Sequence, residues 1–583
     1  MRGGGTLMRR NNSACICAGS TGVLFALLTG ICSTSVGLAD GFSDVTSTSG
    51  INYVQGSSGT FPISGGAAAG DYDNDGWIDL LVSRFDDGPI LYRNKGDGTF
   101  EDVSTSTIMG AALPRANGLA WADVNNDGFL DFSATTVANG GNALYINDGT
   151  GKFNNEAEAR GAALNDTNSL VLGQSTSFGD YDNDGFLDMF VTEWKPSFVN
   201  PSGAQSRNRL LRNMGASNPG YYEDVTTVAG ITVEDFGGTF EQNPGVLGFT
   251  ARFTDLDSDG DVDIFYTGDI GTSRLFWNNG DGTFTDGTNS SGIGSGVNDM
   301  GLTSGDYDGD GDLDLFTTAI YDRSGSDPPG PLLGNRLLQN NGDGTFTRVD
   351  EEAGVRNGGW GWGADFLDYD NDGDLDLAMT NGQEVPGEEM VIDQSVLFEN
   401  NGDGTFNDIA TDVNILDDGP GKGFLKFDYD NDGDLDLFIV NNAGQPVLYR
   451  NDEGNQNDWL RIDLRGTDSN TYGIGALIKV YPDLGDDPLI WEVSASSTFL
   501  SQSEFTAHFG LGANAGLVDL IEIYWPSGLV QSLSNVHPDT LLTVQELDIM
   551  QVPEPSSLLL AMVGAVGLLV YSIRRRRVTF TSR

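Results

Sequence analysis

The sequence predicts an all-β protein: a seven-bladed β-propeller, then a small β-sandwich-like domain and a C-terminal transmembrane or sorting helix. Three observations predict it. An acidic pattern, "DYDNDGWID" in its first copy, occurs seven times, from Asp71, Asp123, Asp180, Asp255, Asp306, Asp368 and Asp428. The starts lie 52, 57, 75, 51, 62 and 60 residues apart, too even for chance and too long for a low-complexity tract. Between copies, short apolar runs alternate with glycine-rich turns, and no long helical pattern intervenes.

Residues 1–39 read as a secretory signal. Arg9 and Arg10 precede the apolar run "GVLFALLTGIC", and small residues in "SVGLAD" lead to a cleavage point after Ala39. An uncleaved membrane anchor is the alternative. Cys15, Cys17 and Cys32 all fall inside this segment, so no disulfide framework or cysteine metal site is expected beyond it. Ile31 ahead of Cys32 departs from the small residue that a lipoprotein signal requires.

Residues 41–455 hold the propeller. Each unit has an apolar segment ahead of the acidic loop ("GLAWADV", "FLKFDYD"), a second after it ("IDLLVS", "LDLFIV"), and a hairpin such as "ILYRNKGDGTFEDVS", turning on Gly-Asp-Gly. Four short strands per unit, repeated seven times, describe propeller blades. The seventh unit stops at "VLYRNDEGNQ" without its last strand, while "GFSDVTSTSGI" from Gly41 is a spare copy of it. Residues 41–47 are therefore expected to complete the seventh blade and remove two sheet edges. An open array with atypical caps is the alternative.

The acidic loop points to calcium. Four carboxylates a few ångströms apart repel by roughly 4 kcal/mol per pair at ~4 Å and an effective dielectric of about 20, so the loop stays solvated or holds a cation. Calcium takes six to eight oxygens. Position 1 offers Asp71, Asp123, Asp180, Asp255, Asp306, Asp368 and Asp428; position 3 offers Asp73, Asn125, Asp182, Asp257, Asp308, Asp370 and Asp430. Position 5 offers Asp75, Asp127, Asp184, Asp259, Asp310, Asp372 and Asp432; position 9 offers Asp79, Asp131, Asp188, Asp263, Asp314, Asp376 and Asp436. Position 7 adds a backbone carbonyl, from Trp77, Phe129, Phe186, Asp261, Asp312, Asp374 and Asp434. Position 6 is always glycine, where the chain turns round the ion, and position 8 is always aliphatic.

Position 12 is Val82, Ala134, Val191, Tyr266, Thr317, Met379 or Ile439 rather than the bidentate glutamate of an EF-hand, so each loop runs into a strand. Zinc is disfavoured by the scarcity of histidine and cysteine, and magnesium by its retention of waters. About seven calcium sites are expected. These residues resemble the FG-GAP or VCBS repeats of integrin alpha-subunit propellers. The resemblance implies a seven-bladed propeller with calcium loops on one face, although integrins carry such loops in only some units.

From 457 to 547 the acidic loops cease, and period-2 alternation with glycine punctuation reads as a small β domain. "GIGA" from Gly473, "HFGLG" from His508 and "WPSG" from Trp525 resemble the ASPIC/UnbV domain, whose pairing with FG-GAP repeats also describes cartilage acidic protein relatives. Residues 552–577 follow: "VPEP", an apolar run 558–573, then Arg574 to Arg577. As a helix that run spans about 24 Å, slightly short of a ~30 Å hydrocarbon core, with a cytoplasmic terminus implied by the arginines. It resembles a PEP-CTERM sorting tail, which implies export and processing by an exosortase-type enzyme.

The net charge of −55 disfavours nucleic acid and anionic lipid and favours divalent cations. With only His508 and His537 available and the carboxylates committed to metal, the leading expectation is a non-catalytic, calcium-stabilised protein of the cell envelope or exterior, binding a surface glycan or protein. His508, between apolar neighbours, reads as a packing residue. The rival is an exported calcium-dependent polysaccharide lyase or hydrolase, which a cleft of convergent Lys/Arg, Tyr and unliganded carboxylates would favour. The longest interval carries "EWKPSFVNPSGAQSRN" and "FGGTFEQNPGVLGF", insertions of the kind that carry recognition.

Overall fold

The computed structural model describes residues 41–547 apart from 57–62, 110–112, 114, 138–140, 165–171, 195–207, 232–245, 322–333 and 384–392. The signal, the sorting tail with its helix, the three cysteines and most of both insertions lie outside the described residues.

Strands dominate, and two four-residue helical turns and two short 3-10 turns complete the regular structure described. Residues 41–455 form seven antiparallel sheets in chain order, each built round one acidic loop. In the first, Ala67–Gly70, Asp79–Val82, Ile90–Asn94 and Phe100–Asp102 pair consecutively. The acidic loop is the turn between the first two strands. The second sheet departs from four strands: Ile108–Met109 adds a fifth, parallel to Phe153–Asn155.

The first strands of the sheets are the innermost: Ala67–Gly70, Ala116–Ala122, Gly173–Gly179, Gly248–Thr254, Leu302–Gly305, Gly361–Leu367 and Gly421–Phe427. Consecutive ones pack side by side, and the seventh packs against the first. Phe42–Asp44 completes the seventh sheet, pairing antiparallel with Tyr449–Asn451. Phe42 also takes the place of a hairpin phenylalanine. Tyr72, Tyr181, Tyr307 and Tyr429 each meet the hairpin phenylalanine of the adjoining sheet at 5.5–5.9 Å, and Tyr369 meets Phe42 at 6.3 Å.

Residues 458–547 form two more sheets. Ala507–Gly512, Asp458–Arg465 and Thr540–Gln545 make one; Leu489–Glu492, Leu477–Tyr481, Val518–Tyr524 and Val530–Val536 make the other. This region is not an appendage. The crossover between its sheets, "SASSTFLSQSE" from Ser494 to Glu504, enters the space between the seven inner strands and bonds to every one of them.

Amides of Ala69, Leu119, Phe178 and Leu302 donate to carbonyls of Gln502, Leu500, Ala495 and Thr498, at 3.0–3.1 Å. Phe253 and Lys426 donate to the hydroxyls of Ser496 and Ser503, and Ser503 donates to Asp365 at 2.8 Å. Small hydroxylated residues suit this role, because each can satisfy the inward-facing polar groups of a narrow space. The approach is close: a Cβ on Gly66 would lie 2.1 Å from the Leu500 carbonyl oxygen. At the tip, Phe499 packs against Phe249 and Trp362.

Candidate metal centres

Each acidic loop is organised by its first aspartate. Asp71 accepts from the amide of Asp75 at 3.1 Å and from that of Gly76 at 2.8 Å. The same two bonds recur at Asp123, Asp180, Asp255, Asp306, Asp368 and Asp428. Position 4 is left-handed in every copy, as asparagine at 74, 126, 183, 371 and 431, Ser258 or Gly309. Position 5 accepts the amide of position 7, as Asp75 does from Trp77 at 3.1 Å and Asp372 from Asp374 at 3.0 Å. The position 7 side chain then lies over a hairpin glycine: Trp77 sits where a Cβ on Gly96 would be, at 2.5 Å.

Position 9 is the most deeply set, with Asp79, Asp131, Asp188, Asp263, Asp314, Asp376 and Asp436 all at most 2% exposed. One oxygen of Asp79 accepts from the amide of Tyr72 and the other from that of Asn94, at 3.2 and 2.7 Å. The arrangement repeats in all seven loops.

That hairpin asparagine escaped the sequence reading. At 94, 147, 213, 278, 340, 400 and 451 its side-chain amide donates to the position 8 carbonyl of its own loop and to the position 2 carbonyl of the adjoining unit's loop. Asn94 bonds Tyr429, linking the first unit to the seventh at 2.7 Å. The signal was present, because asparagine precedes the turn in every hairpin, from "YRNKGDG" to "YRNDEGN".

The loops bring their carboxylates together. In those from Asp71, Asp180, Asp306 and Asp368, oxygens of positions 1, 3 and 9 lie within 4.8 Å of one another; in the loop from Asp255 the group is Asp255, Asp257 and Asp259. Burial, reinforced by neighbouring carboxylates, pushes Asp123 up to about 6, and Asp180 and Asp306 to about 7. Oδ1 of Asp73, Asp182, Asp308 and Asp430, the same atom at position 3 of four loops, is buried without a hydrogen-bond partner. An all-oxygen donor set with an orphaned oxygen fits a hard cation.

The loops are not equivalent. Arg93 lies 2.7 Å from both Asp73 and Asp75, whereas Arg212 stands 3.9 Å from Asp182 and Gln339 donates to Asp308. In the second loop Asn125 accepts from the Asp127 amide and donates to its carboxylate.

Four loops bond to residues 458–547, that from Asp123 through Asn126 to Thr471 and three more closely. Arg461, 2% exposed, donates to Asp428 and Glu504, both at 2.6 Å. Gly510 donates to Asp368 at 3.1 Å, and Glu492 accepts from the Asp255 amide at 3.2 Å. His508 is buried with Nε2 3.0 Å from the Gly433 carbonyl, and burial beside Arg461 pushes it down to about 3, so its imidazole is neutral. His537 is exposed.

An acidic-loop repeat array locked to a C-terminal β domain is thus the class that fold and site define, and family models divide the chain the same way. It carries FG-GAP-like repeats at residues 71–134, 255–317 and 324–379, an ASPIC and UnbV segment at 466–549, and a PEP-CTERM protein-sorting motif at 551–577. The sorting motif implies export and processing at the envelope. Among the described residues no helix is long and apolar enough to cross a membrane.

Over most of its length the chain is similar to cartilage acidic protein 1. It is 26% identical to the Homo sapiens protein over 529 residues, covering 84% of this chain and 74% of that protein. Identity to the Mus musculus protein is 26%, covering 80% and 71%. Solved structures to which the chain is similar include an Agrocybe aegerita lectin that recognises non-reducing terminal N-acetylglucosamine, with 18% identity, TM-score 0.39, and 67% of this chain and 92% of that one covered. Rhamnogalacturonan lyase YesW has 14% identity, TM-score 0.34, and 66% and 71% covered.

Proposed function

We propose that this chain is an exported, calcium-binding protein whose repeats close into a seven-bladed β-propeller and which binds a surface glycan or protein without transforming it. One observation carries the calcium reading: the position 3 oxygen left without a partner in four separate loops, inside a carboxylate cluster at Asp73, Asp182 and Asp308. Positions 1, 3, 5 and 9, with the position 7 carbonyl, would hold the ion. Bound calcium would supply the charge that offsets the repulsion among them. Closure is supported by Asn94 on Tyr429, by Asn431 on Gly76, and by Phe42–Asp44 in the seventh sheet. After export, the 558–573 segment would anchor the chain until an exosortase-type enzyme processes the tail.

The second reading, a polysaccharide lyase or hydrolase, draws on a cleft between the loop face and the C-terminal domain, where Arg461, Arg465, Tyr472 and Asp463 converge. Each is already engaged. Arg461 holds Asp428 and Glu504, Arg465 holds Asp463, and the Tyr472 hydroxyl donates to the Gly128 carbonyl. That leaves no poised acid–base pair, which favours binding over catalysis. The test is incubation of the calcium-loaded protein with envelope polysaccharide. Retention abolished by chelator, with polymer length unchanged, is expected. Shortened polymer, or new unsaturated ends absorbing in the ultraviolet, would assign the enzyme.

A further inference from the structure

The same cleft measures about 470 Å³, within the range of small-ligand sites. Its floor is the joint between the first, second and seventh units. Gly76 and Gly128 at the loop tips face open space there, where an added Cβ would meet nothing within 4 Å. Asn431, also on the floor, donates to the Gly76 carbonyl.

The opposite wall is aromatic. Tyr472 and Phe505 meet edge to face with ring centroids 5.7 Å apart, and the Arg465 guanidinium lies 4.8 Å over Tyr472. Of the charged side chains bordering the space, Arg461 is paired with Glu504 and Arg465 with Asp463, while Asp71 belongs to the first acidic loop. One donor is left over: Nε of Arg461 is buried and has no hydrogen-bond partner.

We propose that this cleft is a binding site for a neutral oligosaccharide. Tyr472 and Phe505 offer apolar contact to sugar rings, while Thr506 and Thr543, whose hydroxyls bond Glu504 and Asp463, can accept from sugar hydroxyls. The arginines here are already paired, and a chain of net charge −55 repels an anionic polymer. The assignment rests on the reading of the protein as a ligand-binding surface protein, and it narrows that reading to one ligand class and one place.

Calorimetry on the full calcium-loaded protein tests it, with hexasaccharides of glucose, mannose and N-acetylglucosamine as neutral probes and hexauronates as the anionic arm. A neutral probe should bind and the hexauronates should not. Thr543→Trp, on an exposed edge of the cleft, should weaken binding at least tenfold with an unchanged melting temperature. Arg465→Gln gives a second, smaller perturbation and should weaken it several-fold. Undiminished binding in both variants would overturn the cleft while leaving a surface binder. Preference for hexauronates, or no binding of any neutral probe, would overturn the ligand class, and calcium titration would still report separately on the loops.

Discussion

The rim of the array and its centre are held by opposite strategies. At the rim, one node recurs seven times: a position 9 aspartate, a hairpin asparagine and a left-handed position 4, each bonding within a unit or to the adjoining one. At the centre, a single segment, Ser494 to Glu504, meets all seven inner strands through contacts that never repeat. The rim spreads its stability over copies, so the loss of one is diluted. The centre concentrates it, so one substitution touches several units at once.

The largest single-residue effect should therefore come from the centre. Arg461→Met leaves Asp428 and Glu504 as uncompensated buried carboxylates, and removing one partner of such a pair costs about 3–5 kcal/mol. Denaturant melts in chelator should show that loss, together with a raised calcium affinity at the loop from Asp428, where a competing cation has gone. If Arg461→Met proved as mild as a rim substitution, the contrast would fail.

Next is the spare N-terminal strand. Deleting residues 41–47 removes no metal ligand but strips the edge from Val447–Asn451 and the Phe42 ring from Tyr369. Amides of residues 423–450 should then exchange fastest in the molecule. Unchanged exchange there would point to an open array.

A rim substitution should be smaller. Asn340→Ala breaks one latch, leaving the Leu256 and Leu313 carbonyls without that donor, at a cost of about 1–3 kcal/mol. Thermal melts should show a drop of a few degrees with cooperativity intact.

The subtlest expectation concerns pH in chelator. Asp180 and Asp306 rise to about 7 in the metal-free fold, above an unfolded value of about 3.9, so the native state binds the extra protons. Their contribution is fully present below pH ~4 and is lost as pH rises through about 7. Metal-free protein should melt higher at pH 5 than at pH 8, and calcium should reverse the order, because protonation at pH 5 weakens its binding. The same order in both conditions would contradict the site electrostatics.

What repeats was legible in the sequence. Seven copies expose the acidic loop, its glycine and its aliphatic anchor, and a spare "GFSD" reveals the completing strand because six other hairpins show what is missing. The asparagine latch was equally repeated, but its partner lies in the adjoining unit, and spacing along one chain does not display that. The central segment was not legible at all. "SASSTFLSQSE" is polar, short and free of periodicity, so nothing in it marks a buried segment, and its partners Asp365, Lys426 and Arg461 lie outside any repeated pattern. Its burial is set by the seven strands around it, a tertiary effect that local pattern does not encode.

Calorimetric titration of calcium into the chelator-stripped protein tests the central claim most directly. The account predicts about seven ions bound per chain, the loop crossed by Arg93 filling among the last, with a melting temperature that climbs by many degrees. No heat of binding and no change in melting with calcium or chelator would contradict it.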